Sequence, residues 1–147
     1  MKTLRDYQVD LYWKEDQKGK ISSVLFNDAI EVASDCCLKD FKHDAWSAEH
    51  LLVASLETSY MIAFFKTAKN KGIKYNSFKS SAKGSIIMTD EYSEITDIII
   101  KPTVTILESN QINKTLKIFS LCREHCLVLN ALKIRTHIFP SVIVEKQ

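Results

Sequence analysis

The chain has 147 residues, 46% of them apolar and 26% charged, with a formal net charge of +2. That length accommodates one domain with a real hydrophobic core. A balance this close to neutral predicts no nucleic-acid footprint, which would show as a basic cluster on one face. The longest apolar run, Met61 to Phe65, is far short of a membrane span, and charges at Lys2, Arg5, Asp6 and Asp10 exclude an N-terminal secretory h-region. A cytoplasmic protein without membrane association is therefore expected, and its four cysteines read as free thiols.

Tyr7 to Trp13 alternates, with Tyr7, Val9, Leu11 and Trp13 on one face, which predicts a half-buried strand. Lys18-Gly19 reads as a turn, Ile21 to Phe26 as a second strand, and Asn27-Asp28 as a hairpin signal leading into a third strand at Ala29 to Val32. Ser34 to Trp46 is mixed and reads as a loop or a short irregular strand. Ser47 then has N-cap chemistry and Glu49 suits a first helical turn, with Gly72 as the matching C-cap. Between them LLVASLETSYMIAFF leaves little polar face, so a long helix buried nearly all round is expected.

Two strand-like stretches follow, Ile73 to Met88 and Glu94 to Leu107. Gly84 suggests a bulge in the first, and Pro102 an edge or bend in the second. Ser109 is placed to cap a second helix with Ile112, Leu116 and Phe119 on its buried stripe, continued by Cys122 and Cys126. A last strand, Lys133 to Val144, closes the chain. The expected fold is α+β, in the order β-β-β-α-β-β-α-β, with residues 1–147 as a single domain.

Few residues carry chemistry. Cys122 and Cys126 share a face if the helix persists, and burial as small core residues is their default reading. His125 lies beside them, but no second Cys/His pair stands at ligand spacing, so no metal and no cofactor is expected. Adjacent Cys36 and Cys37 point apart in extended chain. Ser59 interrupts the long helix and by default bonds back to a carbonyl one turn earlier. As a nucleophile it lacks a base: His50 is nine residues away on the opposite helical face, and no GxSxG elbow surrounds it.

SAEHLLVASLETSY (Ser47 to Tyr60) and LCREHCLVLNAL (Leu121 to Leu132), with the element order, resemble the OsmC/Ohr family of osmotically inducible and organic hydroperoxide resistance proteins. Trp13, Lys18-Gly19-Lys20 and the strand ending in Lys101-Pro102 fit the same pattern, so the likeness covers nearly the whole chain. The resemblance implies a thiol peroxidase acting on organic hydroperoxides. In it a glutamate at the first helix is followed ten residues later by a peroxidatic cysteine, an arginine from the N-terminal strands tunes that thiol, and the second helix supplies a resolving cysteine.

Carried over residue by residue, the glutamate falls on Glu49 and the resolving cysteine on Cys126. The peroxidatic position falls on Ser59. Ala48 stands where a proline usually precedes the glutamate, and no arginine occurs between Arg5 and Arg123. Lys18, Lys20, Lys39 or Lys42 could replace its charge without its bidentate fork. The resemblance therefore implies a member whose two-cysteine peroxidase is not intact.

Glu49 and Ser59 are about 15 Å apart along one helix, so a site needing both takes one from a second subunit. This is in line with the intertwined homodimers the resemblance implies. The alternatives are a divergent thiol enzyme using Cys126 with Cys122 or a loop cysteine as its resolving partner, a non-catalytic dimer binding a small hydrophobic molecule, or a structural or interaction protein.

Overall fold

The computed structural model describes residues 5–34 and 45–145. In chain order it has β1 (Asp10–Glu15), β2 (Lys18–Ser22), β3 (Ile30–Ala33), α1 (Ala48–Lys71), β4 (Ser77–Met88), β5 (Ser93–Ile106), a 3-10 turn (Ser109–Gln111), α2 (Ile112–His125), α3 (Leu127–Ala131), β6 (Arg135–Ile138) and β7 (Ser141–Val144). The class is α+β. The chain forms two compact units, Met1–Leu52 and Val53–Gln147, with the boundary inside α1.

The first unit holds the antiparallel meander β1-β2-β3, in which Leu11 faces Ile21 and Gly19 faces Val32. Its tight turn lies at Asp16-Gln17 rather than at Lys18-Gly19. Asp16 takes φ +47°, a left-handed conformation that a short polar side chain tolerates. Lys18 therefore already belongs to β2, and the strand ends at Ser22 rather than Phe26. Gly19 is required for close approach, since a Cβ there would come within 3.1 Å of the Tyr12 carbonyl.

The expected half-burial of β1 is not found, because Leu11 and Trp13 remain 65% and 72% exposed. The sequence pattern announces an apolar face, but within its own unit the meander is met, among the described residues, only by the first turn of α1, at Ala48 and Leu51. Cys36, Cys37, Lys39 and Lys42 lie outside the described residues. Trp46 rejoins the unit beside β3, its backbone bonding Glu31 and Ala33.

Both ends of α1 follow the chemistry of their residues. Ser47 Oγ accepts the His50 backbone N–H at 3.3 Å and also meets His50 Nδ1 at 2.8 Å. Glu49 sits in the first turn and Lys69 and Lys71 in the last, each favourable to the helix dipole. At the C-terminus Ile73 N–H bonds the Ala68 carbonyl and Gly72 N–H bonds the Lys69 carbonyl, with Gly72 at φ +66°; this is a Schellman closure.

Nothing lies within 4 Å of a Cβ built on Gly72, so its replacement meets conformational strain alone. Gly72→Ala is expected to cost about 1 kcal/mol, read as a shift in urea midpoint at unchanged slope. Burial along α1 follows one stripe, Leu56, Tyr60, Ala63, Phe64, Thr67 and Ala68, not all sides as the composition suggested. Ile62 and Phe65 stay exposed at 45% and 36%. The run is rich in apolar residues on faces that the chain alone does not cover.

In the second unit β4 and β5 pair antiparallel, and β6 and β7 both run parallel to β5. The closing strand is thus broken in two at Phe139-Pro140. Ile100 and Ile106 carbonyls both accept from this side, through Phe139 and Glu145 N–H groups. The same alternation turns the Pro102 nitrogen toward the break, so a residue with no N–H sits in a central strand without an orphaned partner. The expected edge position is therefore corrected. The bulge falls at Ser85/Ile86, one residue beyond Gly84. Gly84 instead lies under α1, where a Cβ would stand 3.0 Å from Val53 Cγ2.

Ile98, Ile100, Val104 and Ile106 line the inner face of β5 and join Phe64, Ile118 and Phe119 in one core. Ser109 does not cap α2; it opens the 3-10 turn, and the helix begins at Ile112 with no side-chain cap.

Candidate functional site

Within the second unit, Ser59 and Cys126, the residues on which the family's two cysteine positions fall, meet each other. Ser59 is carried by the middle of α1. Cys126 sits between α2 and α3, with φ −81° and ψ 104°, closing one helix and opening the next. Cys126 and Cys122 therefore do not share one helical face, because α2 ends at His125. No glycine or proline marks this break, and nothing in the local residues announced it.

The extended backbone at Cys126 aims its thiol at α1. Cys126 Sγ donates to Ser59 Oγ at 3.2 Å, and the Val128 N–H donates to the same oxygen at 3.4 Å. The expected back-bond from Ser59 along its own helix is replaced by these contacts. Cys126 is wholly buried and Ser59 half-buried. No acid or histidine among the described residues hydrogen-bonds Ser59, so nothing draws its proton away.

Cys122 faces the core from α2. Burial pushes its thiol up to about 11, against a weaker opposing hydrogen bond from Thr67. Tyr60, one residue beyond Ser59, donates its phenol to the Phe119 carbonyl at 2.8 Å. Burial drives that phenol well above its ordinary value, and the neighbouring thiols add to the rise. A tyrosine within an apolar helical run is the one sequence signal of this bond, since a buried hydroxyl needs a partner.

These shifts predict a pH window. The unfolded chain releases the Cys122 proton above about 9, while the folded chain keeps it to about 11. The folded state then binds more protons, so stability falls as pH rises across that interval. For this thiol the slope approaches about 1.4 kcal/mol per pH unit, and Tyr60 adds to it above 10. Urea midpoints at pH 8 and 11 check this, and Cys122→Ala flattens the slope.

Glu49 lies in the first unit, half-buried in the opening turn of α1, and its side chain takes no hydrogen bond from the described residues. That unit also holds a cavity of about 310 Å³, lined chiefly by Leu11, Trp13, Ile21, Val32 and Leu51, with Lys18 on its wall. No local residue pattern signals it, because its walls come from three strands and a helix start. No group of three or more His, Cys, Asp and Glu that could hold a metal occurs among the described residues. No helix among them is long and apolar enough to cross a membrane.

The profile of the OsmC-like proteins matches residues 41–139. Three solved structures superpose over nearly their whole length. An OsmC-like protein of unknown function from Vibrio cholerae gives a TM-score of 0.82 at 14% identity, covering 93% of this chain and 99% of its own. An OsmC-like protein from Mycoplasma pneumoniae gives 0.80 at 15%, covering 95% and 98%. An organic hydroperoxide resistance protein from Elizabethkingia anophelis gives 0.74 at 17%, covering 99% and 100%. At these identities the likeness shows the fold. No curated protein sequence matches the chain.

Proposed function

The chain belongs to the OsmC-like protein family, and on that premise we propose that it is a member whose two-cysteine hydroperoxide-reducing site is not intact. The observation that carries this is the pair at the centre of the second unit, where a hydroxyl, Ser59 Oγ, faces Cys126 Sγ at 3.2 Å. Such a site works when a first thiolate attacks the distal peroxide oxygen. An S–O bond forms, the O–O bond breaks, and the alkoxide leaves as the alcohol. A second thiol then condenses with the sulfenic acid, releasing water and closing a disulfide.

Ser59 cannot open that sequence, since a hydroxyl stays un-ionised at neutral pH where a tuned thiol ionises. Cys126 retains the place of the second thiol, and Glu49 that of the glutamate. The missing arginine belongs with the missing thiolate, which it would have stabilised.

The proposal includes a cytoplasmic homodimer. Apolar side chains left uncovered in each unit, Leu11 and Trp13 in one and Ile62 and Phe65 in the other, support a partner subunit. A second reading, a non-catalytic dimer binding a small hydrophobic molecule, is favoured by the apolar cavity beside Leu11 and Leu51.

The test is peptide mapping of protein exposed to one equivalent of cumene hydroperoxide. Cys126 is expected outside any disulfide. A stoichiometric disulfide from Cys126 to another native cysteine, reopened by a dithiol, would overturn the proposal.

A further inference from the structure

The outer face of the β4-β5-β6 sheet carries a group of side chains that the proposed site does not use. Lys79 lies opposite Thr103, Ser81 opposite Lys101, and Lys83 opposite Ile99. Lys101 is therefore the diagonal neighbour of both other lysines, at a backbone spacing of about 7–8 Å. On the next strand His137 stands beside Ile99, and Phe139, whose N–H bonds the Ile100 carbonyl, continues that line past Lys101. The two rings stack, with centroids 6.5 Å apart and planes within 16°.

All three lysines and both rings are exposed, and no carboxylate among the described residues reaches any of the three amines. Asp97, the acid nearest the two rings, is bound by Arg135 at 2.6 Å and by His137 at 3.3 Å. The near-neutral net charge conceals the arrangement, because Glu91, Glu108 and Glu124 in the same unit lie off these strands, and Glu94 stands at the far end of β5, opposite Ile87.

We propose that this face binds single-stranded nucleic acid. The zigzag Lys79-Lys101-Lys83 tracks the phosphates, and the His137–Phe139 pair gives bases a stacking surface. The aromatic pair decides between partners. An acidic peptide would use the lysines and gain nothing from the rings, whereas every base has a face to stack. A duplex hides its base faces and would use the lysines alone.

The experiment measures fluorescence anisotropy of a labelled single-stranded oligothymidylate titrated with the full chain at several salt concentrations. Saturable binding is expected, with log K falling against log salt at a slope of about −2, as three phosphate contacts to a single strand imply. Lys79→Gln/Lys83→Gln/Lys101→Gln, all outward-facing, is expected to weaken binding at least tenfold and flatten the slope. Phe139→Ala is expected to weaken binding severalfold at an unchanged slope. Circular dichroism of each variant verifies the fold. Absence of saturable binding at low salt, equal or tighter binding of a duplex of the same length, or equal competition by polyglutamate would each overturn the proposal.

Discussion

Ser59→Cys is expected to form a disulfide with Cys126 on treatment with stoichiometric hydroperoxide, and to gain peroxidase turnover above that of the natural chain. The wild-type Oγ–Sγ separation is 3.2 Å, against about 2.05 Å for a disulfide. Sulfur sits farther from Cβ than oxygen does, so a small side-chain rotation closes the gap. Cys126 is held by the extended backbone between two helices, which keeps its Sγ aimed at α1. Peptide mapping after hydroperoxide should recover the 59–126 crosslink. With a dithiol present, consumption of cumene hydroperoxide should exceed the wild-type rate by about tenfold or more. Cys126→Ser in the same background should leave a sulfenic acid at position 59 and no crosslink.

Phe64→Ala is expected to be the most destabilising single change in the second unit. Phe64 is fully buried on α1, and its ring meets Phe119 at 5.0 Å, Phe78 at 5.2 Å and Tyr75 at 5.4 Å between centroids. It joins the helix, the sheet and α2 at one point. Truncation removes the transfer energy of the ring and leaves a void that three other rings cannot fill together, a loss of about 3–5 kcal/mol. Equilibrium urea unfolding measures it. Phe65→Ala, one residue on and 36% exposed, should cost less, about 2 kcal/mol.

What could be read from the residues follows the range of the interactions. Ser47, Gly72 and the long apolar run located α1 almost to the residue, because capping and the left-handed C-terminal residue are local chemistry. The three-strand meander was legible for the same reason. Burial was not: α1 reads as apolar nearly all round, yet the chain covers one stripe, and β1 presents Leu11 and Trp13 to solvent. Apolar composition records every surface a residue faces, including those another molecule would cover.

Breaks that depend on tertiary pairing were also hidden. The closing strand parts at Phe139-Pro140 beside Pro102, and α2 ends before Cys126 with no breaker residue. At the site, the family resemblance placed Ser59 and Cys126 in related roles. Their hydrogen bond, and the Val128 amide that shares it, needed the fold. The cavity in the first unit needed it too.

We propose that Ser59 at the nucleophile position, facing Cys126, leaves the peroxidase without its first step. Cumene hydroperoxide consumption with a dithiol reductant, wild type and Ser59→Cys side by side at neutral pH, decides it. A background rate is expected for the wild type and multiple turnovers for the variant. Multiple turnovers by the wild type that vanish in Cys126→Ser would contradict it.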